Sequence, residues 1–182
     1  MHIWTTSAAV MLCTPAAAFA VDYMSAEQAA RLMFPDADHW DTATLTLDAV
    51  QQQALEAQGA RGRSTQWNML VAHKGDTLLG WVVIDNVVGK FELITYAVGL
   101  QRDGRIRQVE ILSYRESHGH EIRLPAWRQQ FVGKTAASPL RVGEDISNIS
   151  GATLSCTHVT EGIRRIVAAL ELARRNNPAW TH

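Results

Sequence analysis

Residues 66–114 read QWNMLVAHKGDTLLGWVVIDNVVGKFELITYAVGLQRDGRIRQVEILSY, and this stretch decides the fold. Four segments within it, Gln66 to His73, Leu79 to Asp85, Leu93 to Gln101 and Ile106 to Tyr114, are rich in Val, Ile, Leu, Trp and Tyr. Each is bounded by Gly, Asp or Asn. Residues of this kind suit a pleated, half-buried surface, so the four segments are expected as strands. Lys74-Gly75-Asp76 and Arg102-Asp103-Gly104 have the composition of hairpin turns. Consecutive strands joined by loops this short pair antiparallel, because a parallel crossover needs a dozen residues or more.

Helices are expected on both sides of this stretch. Ser25-Ala26-Glu27-Gln28 fits a capping box that opens a helix through Phe34, and Pro35 stops it. A second helix is expected from Asp48 to Gln58, with Gly59 as its C-terminal stop and a polar loop to Ser64. Pro125 suits the first position of a short helix, Pro125 to Phe131. The longest helix is expected over Cys156 to Arg175, where Val159, Ile163, Ile166, Val167 and Leu170 recur on one face. Arg174 and Arg175 fall in its last turn, where cations suit the helix dipole.

The first 20 residues carry no charge. A short apolar run from Ala8 ends in Ala18-Phe19-Ala20, which fits the small-x-small cleavage pattern of a secretory signal, with Val21-Asp22 opening the mature chain. The segment before the run has no Lys or Arg, only His2. Bulky Leu12 makes Cys13 a poor lipidation site, and cleavage after Ala20 leaves Cys156 as the single cysteine. The expected organisation is a signal peptide over 1–20, a helical segment over 21–65, a domain core over 66–175 and a fraying tail over 176–182. The mature part is one α+β domain, a helix laid against a mainly antiparallel sheet.

Composition excludes several classes. The 17 Lys and Arg nearly balance the 18 Asp and Glu, so the basic footprint of a nucleic-acid binder is missing. With 47% hydrophobic residues the chain has enough apolar material for a core and is not disordered. It has no C-x-x-C-H haem attachment, no G-x-G-x-x-G fingerprint and no Walker loop.

Ser150-Gly151-Ala152-Thr153-Leu154-Ser155 stands just before the long helix. Gly151 allows a ligand to approach the backbone, Thr153 and Ser155 offer hydroxyls, and a helix N-terminus favours a phosphate. The same residues also suit an ordinary capping loop, and composition alone favours that plainer reading.

Ser150-Gly151-Ala152-Thr153 resembles the flavinylation motif of the FMN-binding domain family, which includes flavin-carrying subunits of Na+-translocating NADH:quinone reductase and the Rnf complex. The block Tyr114-Arg115-Glu116-Ser117-His118-Gly119-His120-Glu121-Ile122, followed by Trp127 and Gln130-Phe131-Val132-Gly133-Lys134, resembles the family's central segment. Val88-Gly89-Lys90 through Thr95-Tyr96-Ala97-Val98 resembles its first sheet segment, so the likeness spans about residues 66 to 172. The family's target motif usually carries an aspartate three positions before its first Ser or Thr. Here that position is Ser147, and the nearest acid is Asp145.

The resemblance implies FMN as cofactor, joined through a phosphoester to Thr153 by a dedicated flavin transferase. It implies that Ser150, Gly151, Ala152, Leu154 and Ser155 line the phosphate and ribityl chain. Glu116, Gly119 and Glu121 form the matching turn, with Gly119 open to the isoalloxazine. Trp127 packs near the ring on the same reading, while Gly89-Lys90 reads equally as a phosphate contact or a strand loop. Cys156 reads as a small buried helix residue rather than a redox group. His118, His120, Glu121 and His158 are metal-ligand types, but alternate loop histidines are commonly solvated, so no metal site and no catalytic residue is assigned.

The implied function is that of an exported, periplasmic or extracytoplasmic FMN carrier for electron transfer, served by membrane or periplasmic redox partners. A carrier fits better than a stand-alone enzyme. The alternatives are a flavin-dependent reductase acting directly on a small acceptor, and a non-redox binding module.

Overall fold

The computed structural model describes residues 21–60, 64–177 and 180. The signal-peptide reading over 1–20 and most of the tail reading over 176–182 lie outside the described residues. The elements run β1 (Val21–Asp22), α1 (Ala26–Met33), β2 (His39–Thr46), α2 (Ala49–Ala57), β3 (Gln66–Lys74), β4 (Thr77–Val88), β5 (Leu93–Gln101), β6 (Ile106–Tyr114), α3 (Pro125–Arg128) and α4 (Thr153–Asn176). Two 3-10 turns, His120–Arg123 and Gln129–Phe131, flank α3.

The sheet has six strands in the order β1-β6-β5-β4-β3-β2, and every pairing is antiparallel. From β2 to β6 it is a meander of consecutive neighbours, and the chain's first two described residues close it beside β6. The expectation of an α+β fold with a mainly antiparallel sheet holds. The bounds of β5 and β6 match the sequence reading, whereas β4 runs three residues beyond Asp85, to Val88.

Two expectations need correction. The segment over 21–65 is not purely helical, because β2 lies inside it and pairs with β3 from His39↔His73 to Thr46↔Gln66. Its sequence, HWDTATLT, lacks the dense apolar alternation of a buried strand because β2 sits at the sheet's edge, where of its eight residues only Leu45 is buried. The second correction concerns layering. The sheet is covered on both faces rather than one. On one face α1 sets Ala29, Ala30, Met33 and Phe34 against Ala72, Val82, Ala97 and Leu112. On the other, α4 brings Val159, Ile163, Ile166, Val167 and Leu170 against Trp81, Val83, Tyr96, Val98 and Ile111. Neighbouring residues on a strand point to opposite faces, so two covered faces explain why β4, β5 and β6 read as nearly continuous apolar runs.

The capping box read at Ser25 forms, and α2 has a second one that the sequence reading did not name. The Ser25 side chain accepts the Gln28 N–H while Gln28 reaches back to the Ser25 amide, and Asp48 and Gln51 repeat the arrangement on α2. The placement of α4 depends on a close approach. A Cβ at Gly162 would lie 1.9 Å from the Tyr96 hydroxyl, so only glycine lets the helix rest there. Tyr96 donates to Asp85 Oδ2 at 2.7 Å, and Arg165 Nη2 lies 3.6 Å from the same oxygen. Burial, and then the Asp85 charge, drive the Tyr96 phenol well above its ordinary pKa, so it stays a neutral donor.

Candidate functional site

The expected start of the long helix at Cys156 is three residues late. Thr153 is the first residue of α4, with Ala152 as its N-cap. The Ala152 N–H donates to Ile149 O at 3.0 Å and the Cys156 N–H donates to Ala152 O at 2.9 Å, which closes the first turn. Hydroxylated residues favour caps and loops in sequence reasoning, and here they form the first turn itself. No side chain caps this end. The first-turn amides, which have no partner inside any helix, therefore remain available at the positive end of a 24-residue helix.

Around this end lies a depression of about 480 Å³ lined by Gly151, Ala152, Thr153, Leu154, Ser155, Lys90, Phe91, Glu116, Ser117 and His118. That volume falls within the roughly 300–1,000 Å³ of small-molecule sites. Three chain segments meet here: the turn between β4 and β5, the exit of β6 and the start of α4. Glu116 ties two of them together. Its Oε1 accepts the N–H of Phe91 at 2.6 Å and of Glu92 at 2.9 Å. Burial acts to raise the Glu116 pKa, but the amides of Glu92, Phe91 and Lys90 and the Lys90 charge outweigh it, and the carboxyl sits below its usual range. Glu116 is thus the clasp that holds the Lys90–Phe91 turn against the pocket, and its charge is already engaged. Lys90 Nζ rests 4.8 Å from the centre of the exposed Phe91 ring and is a cation on the pocket wall.

Tyr114 joins the other two segments. Its hydroxyl donates to His118 O and meets Ser155 Oγ at 3.1 Å. Burial raises the Tyr114 pKa, and the Ser155 hydrogen bond only partly offsets this. Ser155 consequently turns its hydroxyl inward and is 4% exposed, although the residue lines the pocket.

Thr153 is exposed, and its Oγ1 accepts a hydrogen bond from Asn148 Nδ2 at 3.0 Å. A carboxamide, not a carboxylate, thus faces the threonine. Ser147 presents its backbone, with its N–H on Gln130 Oε1 and its carbonyl on Trp127 Nε1. Asp145 is committed elsewhere, to Lys134 Nζ at 2.8 Å and to the Leu140 and Arg141 amides. Burial acts to raise its pKa, and those hydrogen bonds overcome this and lower it. Thr153 stands on a ridge, since it also lines a second depression of about 560 Å³, with Asn148, Thr157, Thr160 and Arg164. The uncapped amides and Lys90 belong to the first side.

The structure brings Thr153, Gly151, Ala152, Leu154, Ser155 and Glu116 together on one pocket, and does not place Ser150, Gly119 or Glu121 on its wall. Gly119, at φ +88°, is buried for a different reason. A Cβ there would meet Ala152 Cβ at 2.6 Å and the Tyr114 hydroxyl at 2.7 Å, so the glycine admits the start of α4 rather than a ligand. Gly151, at φ +82°, is open on the side a Cβ would occupy. Trp127 is not on the pocket either. It is 4% exposed, packs edge-on to Phe131 at 5.0 Å and braces Ser147. Cys156 is fully buried, and burial raises its thiol pKa. His158 donates from Nδ1 to Val88 O at 2.6 Å, under the Gly89 turn. Sequence reasoning did not assign Phe91, Ser117, His118 or Asn148 to the site, although Ser117 and His118 stand between Glu116 and Gly119 in the block that carries the resemblance and Asn148 is an amide five residues before the threonine.

The donor set suits FMN: an exposed hydroxyl, unpaired helix amides and a lysine for a phosphate, with an exposed aromatic ring beside them. Across 79% of this chain and 87% of the other, the structure resembles the crystal structure of NqrC from Shewanella oneidensis, with a TM-score of 0.53 and 15% identity. That likeness shows a shared fold. No curated protein matches the sequence. Residues 89–168, which contain the Lys90–Phe91 turn, Glu116 and Thr153, match the family model described as FMN-binding domain. Over those residues the chain matches the FMN-binding domain family, and FMN is the cofactor that this match supports.

Proposed function

We propose that this protein carries FMN esterified to Thr153 and works as an electron carrier outside the cytoplasm. The observation that supports the reading best is the exposed Thr153 hydroxyl at an uncapped helix start, with the Asn148 carboxamide donating to it. FMN supplies the redox chemistry when bound, and the chain supplies position and surroundings. The first-turn amides and Lys90 would hold the phosphate. Glu116 keeps the Lys90–Phe91 turn in place, and Tyr114 fixes the pocket floor through Ser155. A covalent bond retains the cofactor where free FMN is scarce, which accords with the export signal read over residues 1–20. Maturation then needs a flavin transferase, and electrons come from and go to membrane or periplasmic partners.

The test is co-expression with a flavin transferase, denaturation, and in-gel flavin fluorescence. The wild type should fluoresce and Thr153→Ala should not. A fluorescent Thr153→Ala band would move the attachment site. A dark wild-type band beside a fluorescent control substrate of the same transferase would end the covalent reading.

A further inference from the structure

At the sheet end remote from the flavin pocket, the pairing of β2 with β3 sets His39 opposite His73. Asp41 lies two residues along β2, and alternation puts it on the same face as His39. The two imidazoles stack with centres 4.8 Å apart and planes 11° from parallel. Asp41 Oδ2 is 3.3 Å from His73 Nε2, and a ligand atom from each of the three residues lies within 4.8 Å of the others. We propose that His39, Asp41 and His73 bind a divalent first-row transition ion, with Zn2+ as the fitting case and water in the fourth position.

Three observations converge on this. First, the donor set is two imidazoles and one carboxylate, which suits zinc and its neighbours, whereas calcium and magnesium prefer oxygen ligands alone. Second, the spacing is right. Donors about 2.0–2.1 Å from a tetrahedral zinc are about 3.3 Å apart, the separation found between His73 and Asp41. Third, the ring of His39 is already oriented. Asp38 Oδ1 lies 2.9 Å from His39 Nδ1, and a carboxylate can only accept, so Nδ1 is the donor there and Nε2 is the nitrogen left to ligate an ion. Asp38 is itself fixed, because its Oδ2 accepts the Gly75 N–H at 2.8 Å. A carboxylate that orients a ligating histidine is the usual outer support of a metal site.

His73 is 21% exposed and Asp41 67%, so an ion can enter from solvent without the fold opening. It would clamp β2, the sheet's edge strand, onto β3. The site does not rest on the flavin reading. The twelve residues of β4 separate it from the Gly89 turn, roughly 35 Å of extended strand.

The experiment uses the full chain, stripped of metal, with ZnCl2 and separately CoCl2 as probes. The expected result is one ion per chain, visible Co2+ bands of a four-coordinate site, and a Tm rise of roughly 5–10 °C at 100 times the Kd. His73→Asn should weaken Zn2+ at least tenfold, and Asp38→Asn about tenfold, with far-UV circular dichroism unchanged. Either of two results overturns the proposal: no Tm shift in the wild type at about 100 µM Zn2+, or parental affinity in a folded His39→Asn/His73→Asn double variant, which would place the ion elsewhere. If the double variant does not fold, Asp38→Asn decides, since parental affinity there removes the oriented-ligand argument.

Discussion

Thr153 and Asn148 show what one hydrogen bond can decide. The threonine was legible because it closes a recognisable tetrapeptide. Its partner was not, because the carboxamide reaches Oγ1 only through the turn that the 149–152 backbone makes. Asn148→Ala should slow attachment of flavin to Thr153 roughly five-fold, in line with about 1 kcal/mol for one hydrogen bond, without changing the melt. Timed flavinylation of purified chains measures this. Glu116 gives a pH prediction. Its folded pKa is depressed, so its contribution is fully present above the unfolded carboxylate value of about 4.3 and is lost as pH falls through the lower folded value. Wild type should therefore exceed Glu116→Gln in stability near neutrality, and the two should converge in acid below about pH 4. Urea melts at a series of pH values would show it, and parallel curves from pH 3 to 7 would contradict it. Gly119 teaches the opposite lesson. A glycine in a motif suggested ligand access, but the nearest atoms to its missing Cβ are protein atoms.

At the level of elements, α4 carries the site, and Gly162 decides how close α4 lies to the sheet. Gly162→Ala gains helix propensity of about 1 kcal/mol but drives a methyl group into the Tyr96 hydroxyl. Overpacking of this kind costs about 1–3 kcal/mol, and here the colliding atom is locked to Asp85. At the top of that range the net loss is about 2 kcal/mol, which should lower Tm by roughly 4–8 °C, readable by calorimetry. The core face of α4 was legible from its period, because five apolar residues at helical spacing have one structural solution. The start of α4 was not, since Ser and Thr look like caps whether they precede a helix or open it. Edge strand β2 was illegible for a related reason. With no outer neighbour and only Leu45 buried, its residues need not alternate cleanly, and the His39–Asp41–His73 cluster stayed invisible with it.

For the whole molecule, the family match over 89–168 is smaller than the folding unit. It omits β1 to β4, α1 and α2. A fragment of residues 89–168 would leave β5 without its β4 partner and remove Trp81 and Val83 from the core and Met33 from the opposite face. It should show no cooperative thermal transition, while residues 21–177 should melt in one step, by circular dichroism. The presence of one antiparallel sheet was legible from the hairpin turns. Its double coverage was not, because the α1 sequence does not say which face it will find.

The meander also sets a timetable. Each strand from β4 to β6 pairs with its predecessor in sequence across a short turn, so these contacts close short loops and carry little entropic penalty. The docking of α4 and the return of β1 to β6 join distant parts of the chain. Pulsed hydrogen exchange during refolding is expected to protect the β3–β6 amides before those of α4. The ledge on which Thr153 stands is then the last part of the pocket to form, and during that interval the threonine lies on an undocked segment, open to the flavin transferase proposed to act on it.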